Sequence, residues 1–426
     1  YTTLKEITMN KKCFIPADIM LPQNCDMSKW SVVACDQYTS QPEYWREVSE
    51  YVGDAPSTLN ITFPEIFLDK DDKDCRIEQI NKTMYKYEKS MKVYKNAMIL
   101  VERTLSNGKK RLGIVGAADL EAYDFSVGSD SLIRATEGTV LDRIPPRVKI
   151  RENAPMELPH IMLLADDPQK TVIEPVYDKR DSFTCIYDFE LMQGGGHIKG
   201  YLIPEIIQEQ IIEAYTELAD FEKFNKKYSL KDCAPLLFAM GDGNHSLATA
   251  KTCFENLKKK YGDKALSMPA RYALCELVNL HDDSLEFEAI HRVLFGVNKN
   301  DILNKFKIYC AENAAENDTQ EIMCYFDGGE EKITVKNPPA TIAAGTLQRF
   351  LDEYIAANNC KIDYIHGADV TRELGSKPGN IGFVLPAMSK DELFKSVASD
   401  GVLPRKTFSM GEACDKRFYL EARKIL

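Results

Sequence analysis

The stretch Ala234-Pro-Leu-Leu-Phe-Ala-Met240 runs directly into Gly241-Asp-Gly-Asn-His-Ser246. Its apolar part is typical of a buried strand from Pro235 to Met240, and the glycine-framed residues predict a tight loop over Gly241–His245. A helix is predicted to follow from Ser246 to Tyr261. Because this arrangement gathers unpaired N–H groups and the positive end of a helix dipole at one point, the loop is expected to attract anions.

The side chains of this loop suit an anion site. Gly241 and Gly243 allow the backbone to approach a ligand closely, and His245 can donate a hydrogen bond to phosphate or carry a proton near neutral pH. The alternative is a compact turn in which Asp242 or Asn244 caps the helix and His245 satisfies a local carbonyl. A metal such as zinc is disfavoured, since no second cluster with ligand spacing follows.

The remaining chain predicts a mixed α+β fold. Apolar residues spaced three and four apart predict one amphipathic helix from Arg76 to Ala97, and hairpins are predicted around residues 106–108, 194–196 and 328–329. The plain turn at 194–196 is preferred to a phosphate loop, because a strand follows it. Further helices are expected near 204–218, 301–315, 347–357 and 390–398, with strands at 271–280 and 381–385. We expect largely antiparallel sheets with packed helices in two closely associated parts, residues 1–230 and 231–426, with the site between them.

Composition and charge argue against several classes of function. A net charge of −11 over 426 residues argues against a nucleic-acid partner, although a basic pocket for one phosphorylated ligand remains compatible with it. Twelve cysteines without a CxxC pair indicate reduced thiols. The apolar runs are too short to span a membrane, and Tyr1 to Lys12 do not resemble a signal peptide. We therefore expect a cytoplasmic protein with no membrane partner; the oligomeric state is left open.

The chain resembles the domain-of-unknown-function family 1015. The family loop reads Asp-Gly-His-His-Arg, where this chain has Asn244 for the first His and Ser246 for the Arg. Further segments resemble the family's blocks in the same order along the chain: Val32–Tyr38, Arg134–Thr139, Leu277–Asn279 with Glu288–Arg292, Ile362–Gly367, Gly382–Pro386 and Leu403–Phe408. Because Ser246 carries no charge, the resemblance implies that Arg292, Arg405 or Lys406 supplies the positive charge for a phosphate.

The family loop is in turn similar to the phosphate-binding loops of the ParB and sulfiredoxin-like superfamily, which includes kinases of free L-serine. This resemblance implies a nucleotide-dependent small-molecule kinase, a phosphotransferase with an alcohol group as acceptor, that uses ATP or ADP with Mg²⁺. The alternatives are a non-catalytic protein that binds a nucleotide or phosphometabolite, and a hydrolase of phosphometabolites.

The kinase hypothesis assigns roles to individual residues. Glu137 or Asp36 would accept the proton of the substrate hydroxyl, His245 would act at the phosphates, and Asp242 would bind the metal or share the proton transfer. The residues expected to bind the nucleotide are Gly241, Gly243, Asn244, Ser246, Arg134, Thr139, Arg292, Arg405, Lys406 and Thr407. The alternative for the acids is a solvated or capping role, and for the arginines and Lys406 a structural ion pair.

Overall fold

A computed structural model describes residues 12–68 and 70–426. Its strands are β1 (Phe14–Ile15), β2 (Ala17–Pro22), β3 (Val32–Val33), β4 (Met91–Ala97), β5 (Ile99–Thr104), β6 (Lys110–Asp119), β7 (Tyr123–Asp124), β8 (Ile133–Arg134), β9 (Met156–Glu157), β10 (Met162–Ala165), β11 (Thr184–Glu190), β12 (His197–Leu202), β13 (Phe238–Asp242), β14 (Tyr272–Asn279), β15 (Phe287–Phe295), β16 (Gln320–Phe326), β17 (Gly329–Val335), β18 (Lys361–His366), β19 (Asn380–Val384), β20 (Phe408–Met410), β21 (Phe418–Tyr419) and β22 (Arg423–Lys424).

The α-helices are α1 (Met27–Trp30), α2 (Pro42–Val52), α3 (Lys73–Glu88), α4 (Ile144–Arg151), α5 (Glu174–Tyr177), α6 (Glu205–Leu218), α7 (Phe221–Tyr228), α8 (Asn244–Tyr261), α9 (Lys299–Glu312), α10 (Ala343–Ala357), α11 (Ala368–Gly375) and α12 (Lys390–Asp400). Among the described residues, every helix falls short of the length and apolar character that a membrane span requires. The predicted lack of a leader concerns residues 1–12, of which all but Lys12 lie outside the described residues.

The chain forms two compact units. The first holds the described residues up to Ala135 together with Thr139–Leu285 and Gly411–Leu426, and the second holds Thr136–Gly138 and Glu286–Met410. The predicted division after residue 230 falls inside the first unit, because β13 pairs with β10 and β8 in one sheet.

The sheet of the first unit runs in the order β11-β12-β5-β6-β14-β10-β13-β8-β7, with β1 beside β6. Most of its pairs are antiparallel, whereas β10–β14, β13–β8 and β7–β8 are parallel. The second unit has an antiparallel sheet in the order β17-β16-β19-β15-β18, with β20 also on β15. The predicted α+β class with mixed, largely antiparallel sheets is confirmed.

Apolar residues cover both faces of the first sheet. Along β5, Leu100 belongs to one hydrophobic cluster while Ile99 and Val101 belong to another, as the alternation of side chains along a strand requires. The continuous apolar run at this point of the sequence therefore marks a strand that is buried on both faces.

Two predicted elements need correction. The helix predicted to reach Ala97 ends at Glu88, and the residues from Met91 form β4, which pairs with β2. The spacing of Met91 and Tyr94 fits a helix face, but pairing with a neighbouring strand outweighs this local preference. The predicted hairpins over residues 98–115, 185–203 and 321–335 are confirmed.

The central loop is shorter than predicted. Strand β13 begins at Phe238 rather than Pro235, continues through Asp242, and only Gly243 separates it from α8. Proline cannot donate a ladder hydrogen bond, which explains the late start of the strand. Because Asp242 still pairs with Met162 of β10, the strand carries the loop residues to the edge of the buried sheet.

Candidate functional site

Gly241 and Gly243 make the sharp passage from β13 into α8 possible. Gly243 has φ +79°, a conformation that L side chains rarely adopt, and a Cβ there would lie 3.1 Å from Cα of Ile161. A Cβ on Gly241 would lie 2.8 Å from Cγ of Leu164. Glycine at both positions therefore allows β10 to pack directly under the loop.

The N-terminus of α8 has unused hydrogen-bond donors. The first backbone bonds of the helix run from the N–H groups of Ser246 and Leu247 to the carbonyl of Gly243, both at 3.0 Å. The N–H groups of Asn244 and His245 precede these bonds and have no carbonyl partner within the helix. No side chain caps the helix, its first turn holds no acidic residue, and Asn244 Oδ1 is buried without a hydrogen-bond partner among the described residues.

Asp242 lies beside this helix end without capping it. Its Oδ1 accepts a hydrogen bond from the N–H of Gly243 at 2.9 Å, and its Oδ2 lies 3.3 Å from Nζ of Lys416. Within residues 12–68 and 70–426, no three His, Cys, Asp or Glu side chains gather in a way that could hold a metal ion. Any metal at Asp242 would therefore need most of its ligands from the substrate and water.

His245 is held as a neutral imidazole. Its Nε2 accepts a hydrogen bond from the N–H of Val140 at 3.3 Å, which leaves Nδ1 as the protonated nitrogen. Burial lowers the pKa of His245 to about 4, with further lowering by Arg147 and Arg143 and an opposing effect of Asp36. The ring thus presents one N–H donor over the whole physiological pH range.

Asp36 and Thr139 flank His245 in the first unit. The charge of Asp36 acts on the imidazole, and its Oδ1 accepts a hydrogen bond from Nε2 of Gln37 at 3.0 Å. Thr139 directly precedes Val140, and its Oγ1 is buried with no hydrogen-bond partner in the described part of the chain. The structure therefore brings together Asp36, Thr139 and the loop, which are far apart in sequence.

Arg134 has a structural environment. It is 5% exposed, and it donates to the carbonyls of Ser131, Ala234 and Pro235 at 2.7, 2.7 and 3.3 Å. Burial lowers the pKa of this arginine. These contacts hold the segment before β13 against β8, so that Arg134 positions the loop through the backbone.

Glu137, Arg292 and Thr407 belong to the second unit. Glu137 forms a parallel bridge with Leu403 and contributes to the electrostatic environment of Arg292. Arg292 is fully buried and donates to Oε1 of Gln348 and to the carbonyl of Ile290. Burial lowers its pKa to about 10. Their predicted roles toward a nucleotide stay predictions.

Three cations surround one ring in the second unit. The guanidinium carbons of Arg292 and Arg405 lie 5.1 and 5.5 Å from the centroid of Tyr364, and Nζ of Lys406 lies 5.4 Å from it. Arg405 also donates from Nε to the Tyr364 hydroxyl at 2.8 Å. Thr407 is buried, with Oγ1 donating to the carbonyl of Pro404. Three positive charges therefore lie around Tyr364, and the roles of Arg405, Lys406 and Thr407 toward a nucleotide stay predictions.

A chain of hydrogen bonds links Ser246 to residues that the sequence did not single out. Ser246 Oγ lies 2.9 Å from Nε2 of His160, and Nδ1 of His160 lies 3.1 Å from the hydroxyl of Tyr419. That hydroxyl also accepts from the N–H of Cys35 at 3.1 Å. All four residues line a cavity of about 150 Å³ whose other walls are mostly apolar.

Sequence reasoning missed His160 and Tyr419 for different reasons. His160 stands directly before the buried apolar run of β10, so a polar residue at the end of a core strand was an available signal. Tyr419 lies 259 positions from His160 and carries no local signal. Cys35 lies near this histidine, but burial and the charge of Asp36 raise the pKa of its thiol, which keeps it protonated.

Comparisons with known proteins give one family and several distant structures. The family described as "Protein of unknown function (DUF1015)" matches residues 19–354. A mutant free serine kinase in complex with ADP is 10% identical, with a TM-score of 0.38 over 74% of this chain and 94% of that one. A C-terminally truncated SbnI from Staphylococcus aureus is 10% identical, with a TM-score of 0.34 over 70% and 82%. None of the curated proteins matches the chain.

Proposed function

This chain belongs to the DUF1015 family, and we propose that it is a nucleotide-dependent kinase that phosphorylates an alcohol group of a small molecule. The observation that carries the proposal is the N-terminus of α8, which has no side-chain cap among the described residues, no acid in its first turn and a neutral histidine at its second position. Such a helix end is a ready site for phosphate.

The donors at this point match the needs of a terminal phosphate. The N–H groups of Asn244 and His245 and the Nδ1–H of His245 supply hydrogen bonds, and the helix dipole favours negative charge. Gly243 lets the backbone come close to the ligand. The buried Oγ1 of Thr139 is a further donor without a partner, and Oδ1 of Asn244 is an acceptor that a ribose hydroxyl would satisfy.

Asp36 is the proposed proton acceptor. As its charge acts on His245, the carboxylate lies near the position assigned to the phosphate. The acceptor oxygen would bond to the terminal phosphorus while the bond from that phosphorus to the bridging oxygen of the nucleotide breaks, and the hydroxyl proton would pass to Asp36. Glu137, the other predicted base, keeps that role as a prediction for the second unit.

Asp242 is the residue that would hold Mg²⁺. One carboxylate beside a phosphate site fits this ion, which proteins bind through one or two carboxylates together with substrate phosphates and water. Mg²⁺ bound there would neutralise charge on the phosphates. Lys416, 3.3 Å from Asp242, adds a second positive charge at the same place.

Phosphorus NMR tests the proposal directly. The protein is incubated with Mg²⁺, ATP or ADP and a panel of hydroxyl compounds led by L-serine, which the resemblance to free L-serine kinases suggests first. We expect a new phosphomonoester signal whose rate of formation falls at least about a hundredfold in His245→Ala. His197→Ala, on the β11–β12 hairpin, is the matched control and keeps full activity.

Two results would indicate a function other than a kinase. Nucleotide binding without transfer to any acceptor would assign a regulatory role, as in the non-catalytic alternative. Release of inorganic phosphate from phosphometabolites without a nucleotide would favour a hydrolase. Unchanged transfer by His245→Ala would remove His245 from the site.

A further inference from the structure

Ser246 differs from the other hydroxyl residues of α8. Thr249 and Thr252 donate to carbonyls four residues earlier in their own helix, at 2.7 and 2.8 Å, as hydroxyls in helices commonly do. Ser246 Oγ instead lies within hydrogen-bond distance of Nε2 of His160, a residue outside the helix. Its hydroxyl is therefore in hydrogen-bond contact with an imidazole, which can take up its proton in the tautomer that leaves Nε2 unprotonated.

His160 lies between two hydroxyl groups. It is 8% exposed, and its second ring nitrogen lies 3.1 Å from the hydroxyl of Tyr419, which is itself 3% exposed. When Nδ1–H donates to Tyr419, Nε2 is left as the acceptor for the Ser246 hydroxyl. A nucleophile, a base in hydrogen-bond reach and a third group that orients the base are the arrangement of nucleophilic catalysis.

The cavity gives this group access to a reactant. Ser246, His160 and Tyr419 line the same space of about 150 Å³, and the ion pair of Arg147 with Glu65 forms part of its wall. Ser246 also stands in the first turn of α8, within the positive end of the helix dipole. A phosphoryl group on Ser246 would thus lie between a helix N-terminus and Arg147.

We propose that Ser246 accepts the phosphoryl group as a covalent intermediate, with His160 as its general base and Tyr419 as the positioning residue. Ser246 Oγ bonds to the terminal phosphorus of the nucleotide, the bond to the bridging oxygen breaks, and the hydroxyl proton moves to Nε2 of His160. The acceptor oxygen then attacks the phosphorus of the phosphoserine while its proton passes to Asp36. The bond from phosphorus to Oγ of Ser246 breaks, and Oγ takes its proton back from Nε2 of His160. This inference rests on the proposed function and replaces its direct transfer from the nucleotide with two successive transfers through Ser246.

The intermediate is tested with nucleotide labelled in its terminal phosphate. Full-length protein is mixed with Mg²⁺ and labelled ATP or ADP, quenched in acid, and mapped by mass spectrometry. We expect up to one acid-stable phosphate per chain on Ser246, and its loss when an acceptor identified by NMR is added. Acid stability separates phosphoserine from phosphohistidine at His160 or His245.

Variants assign the roles. Ser246→Ala removes the label, His160→Gln slows labelling about a hundredfold, and Thr252→Ala, which loses a hydroxyl of the same helix, labels normally. Tyr419→Phe keeps the ring and is expected to slow labelling about tenfold, with wild-type nucleotide affinity. Nucleotide titration of each variant shows that its site is folded, and the label on the wild-type protein is informative without any variant.

The failing outcomes are distinct. If the wild-type protein binds nucleotide but carries no acid-stable phosphate on Ser246, the covalent route is wrong. Transfer to the acceptor by Ser246→Ala within threefold of wild type also overturns it, while the kinase proposal stands. Absence of both nucleotide binding and transfer in the wild-type protein overturns the kinase proposal and this inference together.

Discussion

Replacing Arg147 with glutamine is expected to raise the pKa of His245. Burial is the largest cause of the low value of about 4, and Arg147 is the next. One positive charge in a partly screened site is worth about one pKa unit. The pKa of His245 in the variant should therefore be about 5.

The low pKa of His245 makes the free energy of unfolding depend on pH. Because the folded-state pKa of His245 lies below the ordinary value of 6.5, the unfolded chain binds the proton first, and stability is lost as pH falls from 6.5 towards 4. The full shift corresponds to about 3 kcal/mol. The ring is only half-buried, so solvent screening reduces this to about 1–2 kcal/mol.

Two assays check these values. Imidazole NMR over pH 3.5–8 gives the pKa, with the His245 signal assigned by its absence from His245→Gln. Urea unfolding at pH 7 and pH 4.5 gives the free energy, and wild type should lose about 1–2 kcal/mol more than His245→Gln between these values. Titration of His245 near 6.5, or equal losses in the two proteins, would refute the burial and charge environment described above.

Three further substitutions test the site and its support. Gly108→Ala, at φ +81° in open space, should cost about 1–2 kcal/mol in urea unfolding for its left-handed backbone without affecting nucleotide binding. Gly243→Ala should cost more, because its Cβ would also crowd Ile161, and should weaken nucleotide binding. Lys416→Met leaves Asp242 uncompensated and should raise the Kd for ADP about fivefold by calorimetry, and an unchanged Kd would remove Lys416 from the site. Glu157→Gln removes the negative charge that faces the buried Arg423 and the partly buried Arg151, and should destabilise the protein by about 3–5 kcal/mol in urea unfolding; a loss under 1 kcal/mol would contradict this.

Local signals predicted most of the elements. The Asn107–Gly108 pair and the glycines at 194–196 marked hairpins that the structure contains, because turn residues act over a few positions. Periodicity failed for residues 91–97, whose conformation depends on pairing with β2, a partner about seventy to eighty positions away. No local pattern contains that information.

Local sequence likewise predicts some residues of the candidate site and not others. Gly243 and His245 were predictable, since a strand, a glycine and a helix N-terminus are a local arrangement. The Ser246–His160–Tyr419 chain was not, because three segments that are distant in sequence meet only in the folded protein. The side-chain contacts of Arg134 likewise follow from tertiary packing, which the residue type alone does not reveal.

A crystal structure of the protein with ADP and Mg²⁺ would show whether the nucleotide phosphates bind at the N-terminus of α8. We expect the terminal phosphate within hydrogen-bond distance of the N–H groups of Asn244 and His245, with Nδ1 of His245 donating to it and the magnesium beside Asp242. A nucleotide whose phosphates lie away from the α8 N-terminus, for example against the cations around Tyr364, would contradict it.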